Sequence, residues 1–302
     1  MPAHTDSFPV DIGRYLRRIG LLTGAGPTDP ALPPPTFETL SAIVAAHVRS
    51  IAFEGLDPYV GIPVADLDPP ALARKMIDRR RGGFCFEQNG LLDAVLTSLG
   101  FDVVPLAGRV VWMREPGPMP AETHKLLAVA VPGDEERYLV DVGFGGCTPP
   151  NPLRFVLDEP QATELEDFRI VAIDPADNHP VDPEVPGQLS MQVRIGGQWR
   201  PLYLFTPVPR PPVDALVGAW YASTHPGSRF VAGATVAIVT ATSRLNLAGD
   251  QLTEHHRDGH SVKTTLGSAG EILEVLDSRF GIDVGDCPGL AERLTASLAA
   301  QR

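Results

Sequence analysis

The sequence predicts an α+β fold in three parts. The first hundred residues carry apolar side chains at helical spacing. Residues 101–205 carry short apolar runs separated by Gly and Pro clusters, and the last third mixes the two patterns. Helical and alternating spacings are the signatures of a helix and a strand that each bury one face. A chain of 302 residues with 43% hydrophobic content has material for one large domain or two to three small ones.

In chain order, residues 11–21 form a short helical segment and the proline-rich stretch 24–35 a loop. Thr36 caps a second helix, in which Phe37, Leu40, Ile43, Val44 and Val48 share one face. Asp68-Pro69 opens a third, with proline at the tolerated first position. A fourth covers residues 86–99, with Leu91, Leu92, Val95, Leu96 and Leu99 at helical spacing and Gly100 as its stop. Strand-like runs follow at 103–104, 110–113, 126–131, 138–144, 168–173 and 189–205, the last folding back at Gly196-Gly197. Many short strands with Gly/Pro turns suggest a barrel or a sandwich. Residues 206–212 read as a proline-rich linker. Beyond it lie strands at 234–240 and 261–265 and a helix over 269–280.

The chemistry concentrates at Arg81-Gly82-Gly83-Phe84-Cys85-Phe86-Glu87-Gln88-Asn89. The glycine pair suits a tight turn into the fourth helix. Cys85 then sits at a helix N-terminus, where the positive end of the dipole favours thiolate over thiol. Glu87 in the first helical turn complements the same dipole. Two partners follow in sequence. His124 opens one strand and Asp141 lies in the next, and the cluster Pro132-Gly133-Asp134-Glu135 between them predicts a hairpin that sets them side by side. In such an arrangement the histidine takes the Cys85 proton, and the aspartate fixes its tautomer and supports its charge. The remaining histidines show no metal-ligand spacing, and no metal is expected.

These motifs resemble those of the arylamine N-acetyltransferase family. The family pattern is Arg-Gly-Gly-aromatic-Cys-Phe-Glu, then a strand histidine, then Asp-Val-Gly-Phe-Gly, matched here at 81–87, His124 and 141–145. Flanking blocks at 11–20, 47–57 and 221–230 extend the likeness through most of the chain. In the second of these, Ala52-Phe53-Glu54-Gly55-Leu56 stands where the family has Pro-Phe-Glu-Asn-Leu. The resemblance implies a helical bundle over 1–100 carrying the nucleophile, a β-barrel over 101–206 carrying His124 and Asp141, and an α/β lid over 207–302. The bundle and first barrel strands would form a papain-like cysteine-enzyme core.

The same resemblance implies acetyl-CoA as co-substrate, an arylamine or hydrazine as acceptor, and ping-pong transfer through acetyl-Cys85 in xenobiotic metabolism. Phe84, Phe144 and Gly145 are then expected to line the acceptor slot. Arg81 (with Arg79 and Arg80) and His225 are candidates to meet coenzyme A. An amide synthase of the same family, releasing a polyketide chain as a macrolactam, would use the same triad. A cysteine hydrolase or transglutaminase-like enzyme is the third reading.

A formal net charge of −12 argues against nucleic-acid and anionic-membrane partners. Three widely spaced cysteines, Cys85, Cys147 and Cys287, form no disulfide framework and fit a reducing cytoplasm. The N-terminal residues carry no apolar run of the signal-peptide kind. A monomer or homodimer is expected.

Overall fold

The computed structural model describes residues 10–23, 32–115, 117–173 and 187–300. Most of the loop predicted at 24–35 lies outside the described residues. Helix α1 (Ile12–Arg18) is capped by Asp11, and α2 (Phe37–Ser50) by Thr36, the second cap being the one the sequence predicts. A two-residue strand, β1 (Phe53–Glu54), and a one-turn helix, α3 (Leu56–Tyr59), follow. Helix α4 (Pro69–Ala73) starts at its proline and runs into a π-helical turn, Arg74–Asp78. Helix α5 (Cys85–Ser98) begins one residue earlier than predicted, and Gly100 beyond it has φ 94°.

The central sheet has eight strands: β2 (Asp102–Val110), β3 (His124–Ala130), β4 (Arg137–Val140), β5 (Leu153–Arg154), β6 (Gln161–Ala162), β7 (Asp167–Ala172), β8 (Leu189–Ile195) and β9 (Gln198–Phe205). They pair in the order β5-β4-β3-β2-β9-β8-β7-β6. The two edge strands meet through Gln161, whose Oε1 accepts the Arg154 N–H at 2.7 Å and whose Nε2 donates to the Arg154 carbonyl at 2.9 Å. The sheet therefore nearly closes on itself, around Leu106, Leu126, Phe168, Ile170, Met191 and Leu202. Of the barrel and the sandwich, the barrel is what forms. Gly196 (φ 59°) and Gly197 (φ 78°) make the two-residue turn that a right-twisted hairpin favours. The runs at 103–104 and 110–113 are not separate strands. β2 spans both as far as Val110, and Met113 (φ 54°) lies in the turn beyond.

The linker expected at 206–212 holds as far as Pro211, and the third part then begins with a helix absent from the sequence reading, α6 (Pro212–Thr224). Proline fits there because the first helical turn needs no N–H from it. Gly218, Ala219 and Ala222 give α6 a small-residue face on α5, where a Cβ on Gly218 would lie 2.5 Å from Phe86 Cζ. Then come α7 (Arg229–Ala232), the meander β10 (Thr235–Val239), β11 (Ser243–Ala248), β12 (Gln251–His256) and β13 (Ser261–Thr265), and helices α8 (Ala269–Ser278) and α9 (Leu290–Ala300). β1 joins this second sheet beside β10, so a segment from the first hundred residues stitches the two ends of the chain together. Ala52, Leu56 and Tyr59 accordingly share a core with Leu247, Ile272 and Leu276. On the other side, Leu91 and Val95 of α5 pack in one core with Leu127 and Val129 of β3 and Val140 of β4. That contact sets the cysteine helix against the histidine strand. Among the described residues, no helix is long and apolar enough to cross a membrane.

Candidate active site

Cys85 is the first residue of α5 and is 4% exposed. The glycines before it act differently from the expected turn, because neither has a positive φ. They are sites of close approach. A Cβ on Gly82 would run into the Ala52 carbonyl oxygen, and one on Gly83 would sit 2.7 Å from Glu87 Cβ. The strained backbone lies two residues earlier, at Arg80 (φ 48°). Glu87 closes the helix start by accepting the Phe84 N–H on Oε2 at 3.0 Å.

His124 and Asp141 meet as the hairpin predicts. β3 and β4 pair antiparallel, with Leu127 opposite Val140, so Asp141 falls one step past the end of β4. His124 Nε2–H donates to Asp141 Oδ2 at 2.7 Å, with both residues 2% exposed. Nδ1 is left for the sulfur, and Cys85 is a hydrogen-bond partner of this ring. Cys85 Sγ also lies 3.4 Å from the carbonyl oxygen of Thr123.

Burial alone would discharge His124, but the Asp141 carboxylate and the Cys85 sulfur outweigh it and push its pKa up to about 10. Burial likewise raises Asp141, yet the His124 charge and donors from Asn89 and Gly143 leave it below its ordinary value. The site thus favours an imidazolium–carboxylate pair at neutral pH.

Two groups beside Asp141 have no role in the sequence reading, and only the first bonds to it. Asn89, one turn along α5 from Cys85, donates from Nδ2 to Asp141 Oδ1 at 3.0 Å and to the Lys125 carbonyl at 2.6 Å. Its Oδ1 accepts the Val142 N–H at 3.0 Å. Its spacing of four from Cys85, on one helix face, was the available signal. The other is Tyr203 of β9, fully buried with its hydroxyl toward Asp141 and its ring 4.7 Å from that of His124. No local pattern marks it. The loop after Asp141 is tight: a Cβ on Gly143 would lie 2.7 Å from Cys85 Cα.

The expected lining residues divide. Phe144 is half-buried and stands edge-on to His124, with centroids 5.5 Å apart. Gly145 has φ 89°, and a Cβ there would lie 2.9 Å from the Phe53 ring. Phe84 is fully buried behind this surface, packed on Phe86 and Phe230 at 5.9 and 5.3 Å. The ring that faces Gly145 is therefore Phe53. Arg244 of β11 reaches across from the second sheet to the Gly146 carbonyl and pairs with Glu166. It also donates to Cys147 Sγ at 3.3 Å. Burial pushes the Cys147 thiol up to about 11, in keeping with a packing role.

Arg81 needs a correction as a coenzyme A contact. Its side chain is 3% exposed, and its guanidinium is taken up by Glu54 and Asp57, each at 2.8 Å, and by the Asp286 carbonyl. A buried cation already bound to two carboxylates has nothing to offer a phosphate. Arg79 is engaged with Asp286. His225 is exposed at the end of α6, stacked on Tyr221 at 4.5 Å. A cavity of about 620 Å³ lies away from this site, among Val104, Leu106, Ala128, Phe155 and Arg137.

The family model described as N-acetyltransferase matches residues 36–287, which include every group of this site. The chain belongs to the arylamine N-acetyltransferase family. It is 51% identical to an arylamine N-acetyltransferase of Mycolicibacterium smegmatis over 93% of this chain and 94% of that one. The solved M. smegmatis arylamine N-acetyltransferase superposes with a TM-score of 0.86 at 48% identity, over 96% of this chain and 99% of that one. The arylamine N-acetyltransferase of Mycobacterium marinum, solved in complex with CoA, gives 0.84 at 43% identity, over 95% and 98%.

Proposed function

We propose that this chain transfers the acetyl group of acetyl-CoA to arylamines by way of acetyl-Cys85. The observation that carries the reading is the buried Cys85–His124–Asp141 constellation at a helix N-terminus, in a chain that matches arylamine N-acetyltransferases along nearly its whole length. In this scheme His124 takes the Cys85 proton, and Asp141 supports the charge that results. The sulfur attacks the acetyl carbonyl of the thioester, and the oxyanion that forms needs N–H donors. The Cys85 N–H is available, being among the first N–H groups of α5, which have no intrahelical partner. Coenzyme A leaves with the proton from His124. The neutral amine then attacks acetyl-Cys85, and His124 receives its proton. Thioester exchange is close to isoenergetic and amide formation is downhill, so no further energy source is needed.

Phe144 and Gly145, with Phe53 opposite, would form the wall of the amine slot, and flat aromatic amines or hydrazines suit it. His225 remains the candidate contact for coenzyme A, and the chain would act in the cytoplasm in the handling of foreign amines. The decisive experiment is the intact mass of the protein after acetyl-CoA alone, then after an arylamine. One acetyl group should appear, be absent in Cys85→Ala, and disappear when the amine is added. An unmodified wild type, or an acetylated Cys85→Ala, would overturn the scheme. Acceptance of long acyl thioesters with no transfer to any arylamine would point to the amide synthase instead.

A further inference from the structure

We propose that Lys75 is a positioning residue for the nucleophile: its ammonium group keeps the Glu87 carboxylate charged in a buried site, and that carboxylate holds the turn that presents Cys85. The inference rests on the reading of Cys85 as the acetyl acceptor.

The chain of contacts is continuous. Glu87 is 2% exposed, and its Oε2 accepts the N–H of Phe84, the residue directly before Cys85. The same oxygen occupies the space a side chain at Gly83 would need, 2.9 Å from the missing Cβ. The carboxylate therefore fits the backbone at both residues that lead into the cysteine. Its other oxygen, Oε1, is held by Lys75 Nζ at 2.6 Å. Lys75 reaches it from the π-helical turn, an irregular geometry often found at functional sites. The ammonium group also touches Asp57 Oδ2 at 2.6 Å.

The charged groups that face Glu87 come from three elements: Lys75 from the π-helical turn, Glu54 from β1 and Asp57 from α3. Arg81 stands behind them, shared between Glu54 and Asp57. Three carboxylates are thus set against two cations. Without Lys75, the same three would share Arg81, which does not touch Glu87. Burial pushes the Glu87 carboxyl up, and the nearby Lys75 charge is the main force against it. An unpaired buried carboxylate takes up a proton rather than remain charged. A neutral Glu87 then loses the charge-assisted part of its bond to the Phe84 N–H, roughly half its strength. The turn before Cys85 loosens, and a nucleophile out of place by even an ångström reacts far more slowly.

The test follows Cys85 acetylation by acetyl-CoA, and in parallel its alkylation by iodoacetamide, from about pH 6 to about pH 9 in folded protein. Lys75→Met should slow both by at least about tenfold at the acid end and recover toward the alkaline end as Glu87 ionises. Lys75→Met/Glu87→Gln should return to within about threefold of wild type with no such pH dependence, because glutamine at this position caps the helix start without a charge. A wild-type rate and profile in Lys75→Met would overturn the proposal, as would an equal loss at every pH that the double variant does not relieve. If Lys75→Met alone does not fold, the double variant decides: folded and reactive supports the proposal, inert or unfolded overturns it. A wild type that alkylates but never acetylates, with alkylation still sensitive to Lys75→Met, sinks the acetyl-acceptor reading and leaves the positioning role standing.

Discussion

Asp141→Asn replaces one oxygen by an NH2 group of nearly the same size and tests the triad at its most constrained point. Asp141 Oδ1 accepts two bonds, from Asn89 Nδ2 at 3.0 Å and Gly143 N at 2.9 Å, and Oδ2 accepts one, from His124 Nε2 at 2.7 Å. Asparagine has a single acceptor oxygen. If it turns that oxygen to His124, its NH2 meets two donors, and each buried donor left unpaired costs about 1–3 kcal/mol. If it turns the oxygen to Asn89 and Gly143, both bonds survive and only the histidine side changes. The second orientation wins, because it leaves neither of those two donors facing an NH2 group. The NH2 group then faces His124 Nε2, which must accept, and the ring proton moves to Nδ1, toward Cys85. A ring protonated there while neutral cannot take the sulfur's proton. The corresponding change in a Ser-His-Asp triad lowers kcat about 10⁴-fold, or roughly 5.4 kcal/mol of barrier. Single-turnover acetylation of Cys85, followed by intact mass, should fall by a similar factor while the circular dichroism spectrum is unchanged. A loss below about tenfold would mean that Asp141 only shapes the Val142-Gly143 turn.

Three further outcomes can be measured. Gly143→Ala places a methyl group 2.7 Å from Cys85 Cα, so the Asp141 loop must move off α5, and the acetylation rate should drop about 10²-fold in a folded protein. Phe144→Ala should raise the arylamine KM roughly tenfold, the ~1.4 kcal/mol scale of a lost aromatic contact, with Cys85 acetylation retained. His47 is buried between the Tyr15 hydroxyl at 2.8 Å and Gln88 Oε1 at 2.7 Å, and burial lowers its pKa to about 4 against 6.5 when free. Because the native state resists this proton, stability is full above about pH 6.5 and is lost as pH falls toward 4. Between about pH 7 and pH 5 the wild type should lose about 2 kcal/mol more than His47→Gln in denaturant titrations, and parallel curves would refute the assignment.

Local signals made much of the site legible. A cysteine at a glycine-led helix start, a strand histidine and an aspartate one hairpin later were all in sequence order, and short-range geometry delivered the His124–Asp141 bond. Helices with one apolar stripe and a capping residue, such as α2 behind Thr36, were equally plain. Signals failed where the partner is remote. Helix α6 was hidden because its small residues make no clear apolar stripe until Phe86 supplies the surface they fit. Strands β11 and β12 carry Arg244 and Glu254, polar residues that a strand pattern disfavours and that find Glu166 and Arg279 only in the folded chain.

The sequence by itself determined which residue types stand at which spacings, and so the helix that begins with Cys85, the hairpin that carries its partners, and the class of chemistry. Only the tertiary structure decided the charges. Whether an arginine meets a phosphate or two carboxylates depends on what burial places beside it, and Arg81 went to Glu54 and Asp57. The same holds for Asn89, Tyr203 and Lys75. Each is an ordinary residue in its own stretch of chain, and each gains its role from a group brought beside it by a contact of 12 to 62 positions in sequence. Desolvation and Coulomb energy depend on distances in space, and those are set by the packing of α5 against the barrel and of β1 into the second sheet.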